Sequence, residues 1–264
     1  LGNFTSTSIE SYWIGAGLLI CGWFASIAAE PPWQALLVTG LGLWLLGDRL
    51  LRYRQPREVV GIFLLGLASV GLLVRIIPLD MRDAVIAMCT TGLGPLGMPD
   101  ALWGVGLYPY LWGVVGLAHR LRRWQQPVLV RTAHTLAWIL GVGLVGLSVA
   151  NPSLRSLSLW LTLATLIVTL RQQPSVGKVL ANIAHLVGLA ALASTVDNLA
   201  PHFGMHQWGV AVLIGMMLEW IALLLLARSS LWQKSTWFVG LGLAGLGYLL
   251  LFTSVGFRAA VWGS

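Results

Sequence analysis

Apolar runs of fifteen to twenty-three residues follow one another along the whole chain, separated by short polar connections. Nine such runs can be drawn: Tyr12–Ala29, Trp33–Gly47, Val59–Ile77, Ala101–Ala118, Val128–Ala150, Ser156–Leu170, Val179–Val196, Trp208–Ala227 and Thr236–Phe257. A helix needs about 20 apolar residues to cross a ~30 Å hydrocarbon core. The shortest runs, Trp33–Gly47 and Ser156–Leu170, are flanked by Arg and Trp, whose long side chains snorkel to the interface. Alternation of polar and apolar residues, the mark of a membrane barrel, is absent from runs such as Val59–Ile77 and Trp208–Ala227. The pattern predicts an all-α integral membrane protein, a bundle of about nine transmembrane helices with short loops.

Composition agrees. Charged residues make up 9% of the 264, hydrophobic ones 57%, and mean hydropathy is +0.82. A soluble domain carries roughly 25% charged residues, so this chain cannot cover a water-facing surface. The whole of residues 1–264 reads as one polytopic domain, or as the membrane part of a longer chain. The net charge of +7 does not point to nucleic acid, because the cations hug the predicted helix ends.

Twelve of the sixteen Lys and Arg residues fall in four connections: Asp48–Glu58, His119–Arg131, Arg171–Lys178 and Arg228–Lys234. The intervening connections, Glu30–Pro32, Pro78–Asp100, Asn151–Arg155 and Asp197–Gln207, are acidic or neutral apart from Arg82 and Arg155, with Arg75 close by. The alternation predicts basic loops and N-terminus in the cytoplasm and the C-terminus outside. Three basic loops contain Gln-Pro (Gln55-Pro56, Gln126-Pro127, Gln173-Pro174), where proline stops one helix and starts the next. The long connection Pro78–Asp100 contains a weakly amphipathic Asp83–Thr91 and then a Gly- and Pro-rich stretch expected at the interface. Tyr108-Pro109-Tyr110 should kink the fourth span.

Of fourteen tryptophans, Trp13, Trp33, Trp124, Trp208, Trp232, Trp237 and Trp262 fall near span ends, as an aromatic belt requires. Trp23, Trp44, Trp112, Trp138, Trp160 and Trp220 fall inside spans and need an indole partner or an interface. Glycines crowd the fourth, fifth and ninth spans and let backbones approach closely: Gly104, Gly106, Gly113 and Gly116; Gly141, Gly143 and Gly146; Gly240, Gly242, Gly245 and Gly247. These faces pack within the bundle or against another membrane subunit.

Few residues carry chemistry. Glu219 lies within an apolar span, where a carboxylate must pair or be protonated. Ser158, Thr162, Thr165 and Thr169 share one helical face, and Asn182 with His185 shares another, so together they outline a polar seam for a solute or ion. The alternative is that the hydroxyls bond their own i−4 carbonyls. His134 and His185 enter from different spans at similar depth and could ligate a haem or pigment metal; the alternative is helix-to-helix hydrogen bonding. His202 and His206, near Asp197, form a weak metal candidate that Pro201 and Gly204 oppose. Cys21 and Cys89 read as small buried residues. No phosphate loop, Gly-x-Ser-x-Gly or His-Glu-x-x-His is present, so a non-enzymatic role is expected.

One resemblance adds a further reading. Asn151-Pro152-Ser153-Leu154-Arg155-Ser156-Leu157, followed by Ala181-Asn182-Ile183-Ala184-His185, resembles the motif order of exosortase-type membrane transpeptidases, over about a quarter of the chain. That family uses Cys, Arg and His at the outer face. Asn151 stands where the nucleophilic Cys would be and His185 where the Arg would be, so the resemblance implies a degenerate, inactive member. Three functions follow: a solute- or ion-translocating protein with its path near Glu219, Thr165, Asn182 and His185; a subunit of a larger membrane complex, haem- or pigment-associated if His134 and His185 ligate; and the exosortase-like protein.

Overall fold

The computed structural model describes residues 14, 17–18, 20–27, 32–93, 99–172, 177–225 and 231–253. Among them every regular element is a helix. Residues 20–27 are helical and precede α1 (Trp33–Tyr53), α2 (Pro56–Ile76) and α3 (Leu79–Leu93). A 3-10 turn, Pro99–Leu102, leads into the short α4 (Trp103–Gly106), then α5 (Tyr108–Arg123) and α6 (Pro127–Ser148). The chain ends in α7 (Pro152–Gln172), α8 (Gly177–Leu199), α9 (Met205–Leu225) and α10 (Leu231–Thr253).

Six of these helices are long and apolar enough to cross a membrane: Trp33–Tyr53, Pro56–Ile76, Pro127–Ser148, Pro152–Arg171, Val179–Leu199 and Ser235–Thr253. The chain is therefore a polytopic, integral α-helical membrane protein. The runs that look short in sequence are full length in space. α1 continues six residues past Gly47 to Tyr53, carrying its charges with it. Arg52 Nε donates to Asp48 Oδ2 at 2.8 Å across one turn, which offsets part of the cost of charge in a helix end. α7 likewise starts four residues before Ser156, at Pro152. There the Asn151 side chain accepts from the Leu154 amide at 2.9 Å, an N-cap that satisfies one of the helix's unpaired donors.

The fourth run is broken rather than bent. α4 ends at Gly106, and the amide of its C-cap Leu107 still bonds back to Trp103. α5 begins at Tyr108, with Pro109 in its first turn, where a missing N–H costs nothing. The two tyrosines astride Pro109 anchor different parts of the chain. Tyr108 is 1% exposed and donates to the Ser158 carbonyl at 2.8 Å. Tyr110 donates to the Phe63 carbonyl.

The chain divides at this point into two compact units, 1–92 with 109–140, and 93–108 with 141–264. In unit 1 the basic loops lie at one end. Leu50 and Val59 from one loop's flanks pack with Ala118, Leu121, Leu129 and Ala133 from the other's. Both loops turn the same way, with Arg54 (φ 53°) and Gln125 (φ 56°) left-handed two residues before the proline that opens the next helix. The third Gln-Pro, Gln173-Pro174, lies outside the described residues, as does the glycine-rich stretch 94–98.

Unit 2 is built on close helix approach. A Cβ added at Gly104 would sit 2.7 Å from the Leu144 carbonyl oxygen, at Gly209 3.2 Å from the Leu251 amide nitrogen, and at Gly247 2.8 Å from Leu213 Cδ2. Other glycines of the same spans, Gly113, Gly116, Gly143 and Gly146, face open space. A glycine opposed by backbone cannot be relieved by a rotamer change. Gly104→Ala should therefore lower stability by about 1–3 kcal/mol, read from thermal unfolding in detergent. Gly146→Ala should change it by no more than about 0.5 kcal/mol.

Candidate functional site

Three side chains from three helices of unit 2 meet. His185 Nε2 lies 2.8 Å from Glu219 Oε1, and His185 Nδ1 lies 3.0 Å from Ser235 Oγ. The histidine sits eight residues into α8, the glutamate six residues before the end of α9, and the serine four residues into α10. At 1.5 Å per residue these depths are about 12, 9 and 6 Å from the helix ends that carry the basic connections. The antiparallel order of α8, α9 and α10 brings the three to one level.

Small residues make the meeting geometrically available. Ala181 and Ala184 of α8 are fully buried, so this helix can lie deep in the unit. Gly240 of α10 takes the space against Trp220 and Glu219: a Cβ there would lie 2.6 Å from Trp220 Nε1 and 3.9 Å from Glu219 Cβ. Side-chain exposure is 11% for His185 and 17% for Glu219, and Ser235 is 1% exposed. A carboxylate with that little solvent needs a compensating partner, and the imidazole supplies it.

The couple can hold one proton without net charge in two ways. An imidazolium can donate through Nε2–H to the carboxylate while Nδ1–H donates to Ser235. Alternatively a carboxylic acid can donate to Nε2 of a neutral ring. The two states differ by a proton shift along one 2.8 Å hydrogen bond. Ser, His and Glu in a row have the connectivity of a nucleophilic triad. At 1% exposure, however, Ser235 Oγ is not presented to a substrate, and its place is that of a hydrogen-bond partner that orients the ring.

The other sequence candidates distribute differently. Thr162, Thr165 and Thr169 bond the carbonyls four residues back, at 2.9, 2.8 and 2.8 Å. Thr162 also meets Tyr108 Oη at 2.7 Å. Asn182 is exposed on α8, one turn from the buried couple. His134 belongs to unit 1 and His185 to unit 2. Both ring nitrogens of His185 already have partners, so axial ligation would require the couple to open.

At the opposite end of α7 and α8, Arg155 Nη2 donates to Asp197 Oδ2 at 2.8 Å and its Nε to Ser194 Oγ at 2.9 Å. Asp197 is thereby engaged, His202 and His206 are exposed, and no group of three metal-ligating side chains occurs among the described residues. Two tryptophans inside predicted spans find hydroxyl partners, Trp23 on Thr39 at 2.9 Å and Trp160 on Thr195 at 3.1 Å. In unit 1, Glu58 is 3% exposed and pairs with Arg49 at 3.2 Å. Sequence reasoning passed over it as one more charge in a basic loop. Ser235 was passed over because it directly precedes the ninth apolar run.

A double-mutant cycle with His185→Phe and Glu219→Leu should show the pair as coupled. Each single variant strands a buried polar partner and should be destabilising, and the double should recover about 1–3 kcal/mol relative to their sum. Additive losses in detergent unfolding would mean that the two side chains do not depend on each other.

No protein-family model matches this chain, and no curated protein and no solved structure is detectably similar to it, so the chemistry has to come from the residues themselves.

Proposed function

We propose that the chain is a non-enzymatic, multi-pass membrane protein that moves a solute or an ion, with His185 and Glu219 as a protonatable couple on its path. The observation that carries this reading is the 2.8 Å contact between an imidazole and a carboxyl group inside a membrane protein. Intramembrane ionisable residues are costly, and they mark ion and proton pathways. This couple gains or loses a proton with a change of one unit of charge, and its two singly protonated states are both neutral. It is thus a means of linking protonation to movement of the helices that hold it.

The reading keeps about nine spans. Residues 12–29, the run Ala101–Ala118 despite its break at Leu107, and Trp208–Ala227 are counted with the six helices that qualify by length and apolarity. It also keeps the basic loops and N-terminus in the cytoplasm. Support comes from the loops themselves, since the two basic connections of unit 1 share an end through the Leu50, Val59, Leu121 and Leu129 cluster. Among the described residues, the cations outside the basic connections are bound to structure: Arg75 to the Ile27 carbonyl, Arg82 to the Ile77 carbonyl and Arg155 to Asp197. In this topology the couple lies in the cytoplasmic half of the membrane.

A second reading has its own observation. Gly113, Gly116, Gly143 and Gly146 face open space, which suits packing against a further membrane subunit. Transport and scaffolding separate cleanly. In liposomes, Glu219→Gln should abolish a pH-dependent flux at least about tenfold while leaving the fold intact. Gly143→Leu should leave that flux unchanged. If Glu219→Gln is silent, and Gly143→Leu strips a co-purifying subunit, the protein is a scaffold.

A further inference from the structure

Unit 1 holds a feature that the couple in unit 2 does not use. A half-open groove of about 340 Å³ lies among α1, α2, α5 and α6. Its walls are almost wholly apolar, with Leu43, Phe63, Gly66, Tyr110, Gly113 and Leu136 along its length. It runs from Val59 to Gly66 on α2 and from Leu117 back to Tyr110 on α5. Seven residues on each helix correspond to about 10 Å. The one hydroxyl in its wall, that of Tyr110, is satisfied by the Phe63 carbonyl, so the groove offers nothing polar to its occupant.

The groove ends where the basic loops begin. Val59 is two residues from Arg57, and Leu117 is three from Arg120 on the same helix. Eight arginines gather in these two connections: Arg49, Arg52, Arg54 and Arg57, then Arg120, Arg122, Arg123 and Arg131. They face two carboxylates, Asp48 and Glu58. Glu58 is already paired with Arg49 and lies 3.5 Å from Arg57. Asp48 is paired with Arg52. Arg120, Arg122 and Arg123 are exposed at the end of α5, three to six residues beyond the groove residue Leu117.

We infer that this groove and the arginines below it bind one phospholipid with a net anionic headgroup, its acyl chain in the groove and its phosphate at the arginine cluster. Guanidinium groups suit phosphate oxygens in geometry and charge, and basic pockets between membrane helices hold anionic headgroups. The walls offer apolar contact alone over about 10 Å of helix, directly beside the arginines, which suits the hydrocarbon chain of a lipid whose headgroup meets them. The inference stands independently of the His185–Glu219 reading.

The test uses the full chain, purified in detergent and incubated with vesicles of equal parts phosphatidylcholine and phosphatidylglycerol, then re-isolated for lipid mass spectrometry. Phosphatidylglycerol should be retained selectively over phosphatidylcholine. Gly113→Phe fills the groove, and no atom lies within 4 Å of the Cβ position, so the fold should tolerate it. Retention should fall about tenfold or more. The smaller Gly113→Leu provides the same test if phenylalanine unfolds the protein, and unfolding curves distinguish the cases. Arg120→Gln with Arg123→Gln should remove the preference for phosphatidylglycerol. Equal retention of both lipids would overturn the anionic headgroup. Retention unaffected by a folded Gly113 variant would overturn the groove as the chain's site.

Discussion

A polar group within the hydrocarbon core finds its partner inside the protein, because lipid offers none. That single constraint explains the helices, and it also explains their side chains. Buried hydroxyls turn back on their own helix, as Thr39 does on Ala35 and Ser148 on Leu144. Those that reach further bind helices together, as Tyr108 does on Ser158 and Ser156 on Thr195. The charged groups obey the same rule at higher stakes. Arg49 and Glu58 meet at the basic end of unit 1, and Arg155 and Asp197 at the far end of α7 and α8. His185 and Glu219 meet, part-buried, within unit 2. Only this last pair lies away from the helix ends, where water or headgroups could have served instead.

Glycine sets which partners can meet. Where a neighbouring backbone or large side chain crosses, as at Gly104, Gly209, Gly240 and Gly247, the helices are close enough for short side chains to bond. The α9–α10 contact is the clearest case: Gly240 opens room beside Glu219 and Trp220. The couple therefore depends on a helix spacing that a single methyl group would disturb.

The membrane class was legible from continuous apolar runs, since no other solvent accommodates them. Helix limits were less so. Charged residues such as Asp48 and Arg52 look like loop, yet they continue α1 because each offsets the other. Pro109 signalled a disturbance, but whether a proline bends a helix or starts a new one depends on the neighbours of Tyr108 and Tyr110, which sequence does not show. Glu219 and His185 each stood out as ionisable residues in apolar spans. Their contact could not be read, because it depends on the rotation of α8 and α9 about their axes. The same rotation decides that Asn182 faces outward while His185, three residues on, faces in. Likewise the shared face of Thr162, Thr165 and Thr169 was visible as a spacing, whereas their bonds to carbonyls in their own helix follow from local geometry that competes with any path.

The central claim is that His185 and Glu219 share a proton within the membrane. Infrared difference spectroscopy of the reconstituted protein across a pH titration addresses it directly, because a carboxylic acid C=O stretch separates from that of a carboxylate. The account predicts a carboxyl band that is lost in Glu219→Gln and whose titration moves in His185→Phe. A Glu219 band that titrates identically with and without the His185 imidazole would contradict it.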